Sequence, residues 1–261
     1  MTDSMASSLC ITAIPNVPDI VEGDDLAAIV GDCLLASRHM PVEGDILCVA
    51  QKIFSKAEGC IYPLSTITPS PEALRYAEEL GKDPRKVEIV LRESAEVVRA
   101  FRHPGQSEGT MICRHRLGFI SANAAVDESN IAETDAAMTL PPDPDASVVA
   151  MRDALEARFG CRIGVVMTDT FGRPWRIAQV NVAIGLAGVP ATLREQGNED
   201  AWGRTMKVTE AAFADELAAA SGLVVKKAAK TPLVLFRGLD WSPSRSKAED
   251  LLRGKQEDMF R

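Results

Sequence analysis

The amino-acid sequence predicts an α+β fold of mixed α/β composition, and two kinds of apolar pattern support that prediction. Residues 46–50 form a continuous apolar run, which is typical of a strand buried on both faces. Residues 26–34 instead repeat their apolar side chains at i, i+3, i+4, i+7 and i+8, which is typical of a helix with one buried face. Neither pattern recurs at a fixed period, which argues against a repeat architecture.

Turn and cap residues separate the predicted elements. Asp25 and Ser70 are suitable helix caps, Pro71 fits a first helical turn, and Gly160 is a helix stop. In chain order we predict a strand at 9–14, a helix from 26, a strand at 46–50, a helix from 71, a helix at 84–100 that ends before His103-Pro104-Gly105, strands at 110–113 and 119–122, a helix at 145–159, a strand at 163–167, a helix at 208–220 and a strand at 233–236.

We expect residues 1–261 to form a single folded unit. Two segments of it are distinctive. The stiff stretch Pro141-Pro142-Asp143-Pro144 is either a crossing between two lobes or a rigid surface loop. Residues 241–261 are expected to form a charged C-terminal tail with at most one amphipathic helix.

Composition excludes several classes of protein. No stretch approaches the roughly 18 apolar residues that a membrane helix needs, and the N-terminus does not resemble a secretory signal, so we expect a soluble, cytoplasmic protein. The net charge is -8 and the Lys and Arg residues are scattered, which argues against nucleic-acid binding. The cysteines lack metal-ligand spacing and are predicted to be reduced core residues: Cys10, Cys33, Cys48, Cys60, Cys113 and Cys161.

The first candidate site follows the predicted strand at 46–50. Gln51 and two cations, Lys52 and Lys56, lie where that strand leaves the core. Fixed cations in an acidic protein can attract phosphate groups. The P-loop pattern is absent, and a solvated strand end is the alternative interpretation.

The second candidate is the segment 121–130, in which small residues precede Asp127 and Glu128. Small side chains permit a ligand to approach closely, and carboxylate oxygens suit a hard cation. An Asx-rich turn is the alternative.

The third candidate is the segment 168–176, which directly follows the predicted strand at 163–167. It places Asp169 and Thr170 close to Arg173 and Arg176. Phosphoryl transfer needs such a pairing, because carboxylate and hydroxyl oxygens bind Mg²⁺ while guanidinium groups bind phosphate or carboxylate oxygens. A turn held by Asp–Arg pairs is the alternative.

In their order along the chain, several motifs together resemble the coenzyme F420:L-glutamate ligase family, from about residue 14 to residue 238. These motifs are Gly23-Asp24-Asp25-Leu26, Ser55-Lys56-Ala57-Glu58-Gly59, Asp127-Glu128-Ser129-Asn130, Asp169-Thr170-Phe171-Gly172-Arg173-Pro174-Trp175-Arg176, Val182-Ala183-Ile184-Gly185 and Ala214-Asp215-Glu216-Leu217-Ala218. The resemblance implies an unusual mixed α/β ligase fold in which two chains intertwine as a homodimer.

The resemblance also implies a reaction. GTP, two divalent cations (Mg²⁺ or Mn²⁺) and an assisting K⁺ would activate a carboxylate of the coenzyme F420 precursor as an acyl phosphate, and L-glutamate would attack it to give a gamma-glutamyl product. Asp127 and Asp169 correspond to ligands of the first metal and Thr170 to a ligand of the second. The implied nucleotide contacts are Ile14, Pro15, Asn16, Val17, Gln51, Lys56 and Asn130. Lys56, with Arg173 or Arg176, would offset charge during phosphoryl transfer, and Lys52, beside Lys56, is a further candidate for phosphate.

The sequence departs from the family pattern at a few positions. Ala178 stands where the family has glycine, Asn181 where it has aspartate, and Arg194-Glu195-Gln196-Gly197 replaces an Arg-Gly pair, while Lys226 and Lys227 alter a glycine-containing segment. Two alternatives therefore stay open. One is a paralogue that acts on another acid or amine. The other is a non-catalytic protein that binds a deazaflavin or a nucleotide.

Overall fold

The computed structural model describes residues 8–225 and 230–258, and these form strands and helices in mixed order. The strands are β1 (Cys10–Ile14), β2 (Ile46–Ala50), β3 (Ile61–Pro63), β4 (Ser94–Phe101), β5 (Thr110–His115), β6 (Ile120–Ala122), β7 (Ala136–Met138), β8 (Gly164–Arg173), β9 (Arg176–Ala187), β10 (Leu193–Arg194), β11 (Glu210–Ala211) and β12 (Leu233–Arg237). The helices are α1 (Leu26–Ala36), α2 (Gln51–Ala57), α3 (Pro71–Leu80), α4 (Pro84–Arg92), α5 (Pro144–Phe159) and α6 (Phe213–Ser221). The predicted mixed α+β class is confirmed.

A five-stranded sheet in the order β1-β12-β2-β8-β9 forms the centre of the fold. Only β2 and β8 run parallel, with Ile46 opposite Gly164 and Ala50 opposite Thr168. Both strands are almost entirely buried over this paired length, as the continuous apolar run at 46–50 predicts. The carboxyl end of β2 therefore lies at one edge of the sheet beside Thr168, and β8 continues past it to Arg173.

Helices cover both faces of this sheet. On one face α1 and α5 pack through fully buried residues such as Leu34, Val148 and Leu155. On the other face α6 packs through Ala214 and Leu217 against Phe236 of β12. Each buried leucine or phenylalanine stabilises the fold by roughly 1.5–3 kcal/mol relative to an exposed one.

A smaller layer completes the described fold. The sheet β4-β5-β6 packs against α3 and α4 around Leu80, Val87 and Met111, all of which are fully buried. Strands β3 and β7 form a separate antiparallel pair. No helix in residues 8–225 and 230–258 is both long enough and apolar enough to cross a membrane.

The predicted helix boundaries that rest on caps are confirmed. The Asp25 carboxylate accepts a hydrogen bond from the Ala28 amide at 3.0 Å, and the Ser70 hydroxyl accepts one from the Ala73 amide at 3.2 Å. Gly160 ends α5 in the left-handed conformation, with φ +67°.

Three predicted elements need correction. The predicted helix at 84–100 ends at Arg92, and its second half is β4, because Val97, Val98 and Phe101 suit a strand and pairing with β5 is available. The predicted helix at 208–220 begins only at Phe213, since Glu210 and Ala211 pair with β10. The predicted strand at 163–167 continues to Arg173 and turns into β9, which the sequence pattern did not predict.

The cysteine prediction holds for four of the positions. Cys33, Cys48, Cys60 and Cys113 are buried and all six cysteines are free thiols. Cys10 is exposed, contrary to the prediction, because it begins the edge strand β1.

Candidate active site

The edge where β2 ends brings polar residues of the first and third sequence candidates close together in the chain register. Ala50 ends β2 opposite Thr168, so α2 begins with Gln51 and Lys52 at the level where β8 continues into Asp169. Gln51 is buried and accepts a hydrogen bond from the Ser55 hydroxyl at 2.6 Å, within the first turns of α2. Ligands bind at the carboxyl ends of parallel strands in open α/β sheets, and β2, whose neighbour β8 is parallel to it, ends in this way.

Lys52 connects this edge to the second sequence candidate. Its ammonium group contacts the Asp127 carboxylate and donates to the Ser129 carbonyl at 2.8 Å and to the Ser129 hydroxyl at 2.6 Å. Ser129 in turn donates its amide to Asp127 Oδ1 at 2.8 Å and its hydroxyl to Asp127 Oδ2 at 3.0 Å. The Asx turn that the sequence offered as the alternative is therefore present at Asp127.

The environment of Asp127 keeps its carboxylate ionised. Burial raises the pKa of Asp127, but hydrogen bonds from Lys52 and Ser129 outweigh burial and hold the pKa below its usual range. The side chain is still 38% exposed. An anionic oxygen is therefore accessible at this edge.

The chain reaches Asp127 through an unusual backbone. Asn123, Ala124 and Ala125 have φ values of +50°, +48° and +55°, and Asn130 has +61°. The left-handed conformation costs an L-residue roughly 1–2 kcal/mol. Neighbouring hydrogen bonds hold the segment, among them two between the backbones of Asp127 and Met138 at 3.0 and 2.8 Å.

Thr170 and its cross-strand partner occupy the β8–β9 hairpin. The Thr170 hydroxyl donates to Asn181 Oδ1 at 2.9 Å, and the Asn181 amide donates to the Ser221 hydroxyl at 3.3 Å. Ser221 donates its own proton to the Ala218 carbonyl at 2.6 Å, so it can only accept from residue 181. Asparagine fits this arrangement because its side-chain NH2 group donates to Ser221, whereas an aspartate carboxylate has no proton to donate. The lone pairs of Thr170 remain available.

The two arginines lie at the far end of the hairpin. Pro174 and Trp175 form its two-residue turn, in which Trp175 has φ +60°. Arg173 donates to the Ile177 carbonyl at 3.0 Å, and Arg176 is exposed.

The residues implied for nucleotide binding fall into two groups. Ile14 and Val17 are buried, whereas Pro15 and Asn16 are exposed and line a cavity of about 180 Å³ beside α1. Lys56 faces the same loop: the pKa of Asp19 is lowered mainly by its hydrogen bond with Lys230 and, to a smaller extent, by the charge of Lys56. Asn130 is exposed after the Asp127 turn.

The donor set fits a hard divalent cation. Within residues 8–225 and 230–258 no three His, Cys, Asp or Glu side chains cluster for a metal, so a protein-only cage is absent there. Asp127, Asp169 and Thr170 supply oxygen donors only, of which one carboxylate is held ionised. Mg²⁺ is commonly bound by one or two carboxylates together with substrate phosphates and water. Lys226 and Lys227 lie outside the described residues.

Comparison with known proteins identifies the family. A family model described as F420-0:Gamma-glutamyl ligase matches residues 15–238. The chain is 39% identical over 256 residues to the "Coenzyme F420:L-glutamate ligase" of Methanothermobacter thermautotrophicus, covering 97% of this chain and 99% of that protein. It is 41% identical over 259 residues to the protein of the same name from Methanopyrus kandleri, covering 97% and 98%. The chain belongs to the F420-0:gamma-glutamyl ligase family.

Membership makes the chain a ligase enzyme and confirms the resemblance drawn from its motifs. No sequence pattern predicted a role for Ser129 or Ser221, or the contact between Lys52 and Asp127. Ser129 lies two residues after Asp127, the spacing of an Asx turn, which is a signal that can be read from sequence. Ser221 contacts Asn181 across 40 residues, and no local pattern predicts that pairing.

Proposed function

We propose that this ligase adds L-glutamate, through a gamma-glutamyl amide linkage, to the carboxylate of the coenzyme F420 precursor at the expense of GTP. The proposal extends to two divalent cations, Mg²⁺ or Mn²⁺, and an assisting K⁺. Curated relatives that carry the name coenzyme F420:L-glutamate ligase align with nearly the whole chain, which supports the choice of substrates.

One observation carries the proposal: Lys52 joins Asp127 to the end of β2, beside the part of β8 that continues into Asp169 and Thr170. Phosphoryl transfer depends on positioned charge more than on covalent chemistry. An ionised carboxylate and a fixed ammonium group in contact support this chemistry here. A protein that only binds a deazaflavin has little use for that combination.

The residues of the chain then take separate roles. Asp127 and Asp169 would hold the first cation and Thr170 the second, and bound cations would offset the negative charge of the phosphate oxygens. Lys52 fixes Asp127, Lys56 faces the loop that begins at Pro15, and Arg173 or Arg176 could offset charge as the phosphoryl group moves.

The reaction balances in two steps. A carboxylate oxygen of the acceptor attacks the γ-phosphorus of GTP, which forms an acyl phosphate and releases GDP. The nitrogen of glutamate then attacks the acyl carbon, a C–N bond forms, and the C–O bond to phosphate breaks. Of the three ammonium protons, one stays on the amide, one goes to the departing phosphate and one is released.

The proposal also includes a homodimer, for which exposed apolar side chains are the support. Trp175 and Ile177 at the hairpin turn are 87% and 93% exposed, and Trp202 and Val208 are 88% and 90% exposed. Clustered exposed apolar residues often mark protein interfaces. Sedimentation velocity on the purified protein tests this part of the proposal.

A paralogous ligase that acts on another acid or amine is the second candidate. The observation that favours it is the uncharged Asn181 beside Thr170, at a position where the sequence analysis expected aspartate. A change of charge next to a phosphoryl-transfer residue can alter the preferred acceptor.

Mass spectrometry of a complete reaction tests the proposed function. The reaction contains the protein, the glutamate-free precursor, L-glutamate, GTP and Mn²⁺, with each component omitted in turn. We expect a GTP-dependent gain of one or more glutamyl units. No gain with the GTP intact would overturn the proposal and favour the paralogue, for which other acids and amines would be screened.

A further inference from the structure

A second cavity, of about 450 Å³, lies beside the edge strand β9. Phe119, Phe171 and Val182 form an apolar wall. The charged residues of the lining are Arg116, Asp143, Asp145, Asp215, Lys247 and Glu249. A volume of this size, with an apolar lining and a few polar groups, is typical of small-molecule sites.

The cavity adjoins the candidate active site. Val182 pairs directly with Asp169 in the β8–β9 register. Side chains of directly paired residues lie on the same face, with Cβ atoms about 5 Å apart. The apolar wall of the cavity therefore begins next to the carboxylate assigned to the first cation.

Within the described residues, two carboxylates in this cavity accept hydrogen bonds only from backbone amides. Asp215 accepts from the Ala183 amide at 2.9 Å, and Asp145 accepts from the Leu186 amide at 2.7 Å and the Ala248 amide at 3.2 Å. Burial raises the pKa of each. Among residues 8–225 and 230–258, neither carboxylate forms an ion pair.

These surroundings suit a ligand that combines an ammonium group with a carboxylate. An ammonium group can donate to the remaining oxygen of Asp215 and offset the charge of both acids. Methylene groups fit against the Phe119 and Phe171 rings. Lys247 is exposed, and its ion pair with Glu249 is long, with 3.8 Å between Nζ and Oε1. Its ammonium group can therefore also contact a carboxylate of the ligand.

We propose that this cavity binds the amino-acid substrate, with its ammonium group on Asp215 and a carboxylate toward Lys247. The proposal rests on the proposed function, because it supplies the amine that attacks the acyl phosphate. The position beside Asp169 brings that amine to the edge where the acyl phosphate forms.

A structural role for Asp215 alone is distinguishable from substrate binding. Its hydrogen bond to Ala183 protects the outer edge of β9, and an asparagine carbonyl oxygen can accept the same bond. Asp215→Asn therefore preserves the edge contact and removes the charge. Glu216→Gln is the matched control, since Glu216 is the next residue of α6 and is exposed.

The experiment measures ligation and acyl-phosphate formation separately. Without glutamate, hydroxylamine can trap the acyl phosphate as a hydroxamate, and this needs no amino acid in the cavity. We expect Asp215→Asn to raise the KM for glutamate at least about 10-fold, the size of a lost hydrogen bond to a charged group. The KM for GTP and the hydroxamate yield should stay within about threefold of the wild-type values, as should every parameter of Glu216→Gln.

Three outcomes decide the matter. An unchanged KM for glutamate in Asp215→Asn would overturn the inference and leave the ligase function standing. An equal loss of hydroxamate and ligation would also overturn it, because it would indicate a general structural defect. A wild-type protein that forms no hydroxamate from precursor and GTP would instead refute the acyl-phosphate function on which the inference rests.

Discussion

The two segments that meet at Lys52 and Asp127 are built in opposite ways. Lys52 stands on a regular strand-to-helix junction, in which β2 is buried and α2 follows it directly. Asp127 follows three consecutive left-handed residues that no regular element supplies. The regular segment fixes the edge of the sheet, and the irregular segment bends a carboxylate toward it. The geometry of the site thus depends on joining a low-energy segment to a strained one.

The strained segment persists because its surroundings fix it. Three left-handed residues together cost several kcal/mol, taking about 1–2 kcal/mol for each. The Asn123 side chain accepts from the Met111 amide at 3.3 Å, and the Asp127 backbone forms a bridge with Met138. Strain of this kind is concentrated at functional sites in proteins. The comparison predicts that the two segments respond differently to substitution.

The largest effect is expected on the regular side, from Asp169→Ala. This change removes a proposed cation ligand without removing an apolar core residue, so ligation should fall at least about 1000-fold while the fold is retained. Glutamyl transfer and circular dichroism measure the two effects. Full activity in the variant would show that Asp169 holds no catalytic cation.

Lys52→Ala tests the contact that joins the segments. It removes three hydrogen bonds to Asp127 and Ser129, and we expect kcat/KM to fall about 100-fold, which corresponds to about 2.7 kcal/mol. Lys86→Ala is the matched control, because Lys86 forms an exposed ion pair with Glu128, the neighbour of Asp127, at 2.7 Å. If both variants lose activity equally, the loss comes from removing a positive charge, and the contact between Lys52 and Asp127 has no specific role.

The same contrast explains how far the sequence could predict the molecule. The buried run at 46–50 and the caps at Asp25 and Ser70 are local signals, and the elements they predict are present. Residues 94–101 carry both helical spacing and strand-forming side chains, and only pairing with the distant β5 decides between them. The burial of β9 does not alternate from residue to residue as a half-buried strand does, because its first half is exposed and its second half is buried.

The candidate site likewise contains residues that local motifs indicate and contacts that depend on tertiary structure. Motifs single out Asp127, Asp169 and Thr170 as candidates, because their oxygen donors suit a cation. The Lys52–Asp127 contact spans 75 residues and the Asn181–Ser221 contact spans 40, and both depend on tertiary structure. The positive φ values at Ala124 and Ala125 have no sequence signal at all, since alanine rarely adopts them.

Asp215→Asn tests a different destabilising contribution to folding, which is the burial of a carboxylate on helix α6. Burial raises the folded-state pKa of Asp215 above 3.8, so the charged form is destabilising at pH values above the folded pKa. The penalty disappears as the pH falls below 3.8, where the carboxyl is protonated in both states. Urea unfolding should therefore show the variant to be more stable than wild type at pH 7, with the difference shrinking toward pH 3. A constant difference would exclude titration as its cause.

Ala125→Gly probes the strained segment directly. Glycine relieves about 1–2 kcal/mol of left-handed strain and loses roughly 0.5–1 kcal/mol through greater freedom of the unfolded chain, so a net gain of about 1 kcal/mol is expected. Activity should fall a few-fold, since Asp127 is held less firmly. Ala95→Gly in β4, where the residue is exposed, is the control and should only destabilise.

The smallest effect is expected from Ala178→Gly. This variant tests whether left-handed backbone strain outside the Asp127 segment contributes to activity. Ala178 is exposed on β9 with φ +66°, so glycine should stabilise the protein by about 0.5–1 kcal/mol, measured as a higher urea midpoint with an unchanged slope. Ligation should stay within twofold of wild type, because residue 178 lies near the hairpin turn, away from the pairs Asp169–Val182 and Thr170–Asn181. If activity instead falls as in Ala125→Gly, the hairpin and the Asp127 segment form a single strained unit, and the strain at Ala178 also positions the proposed cation ligands.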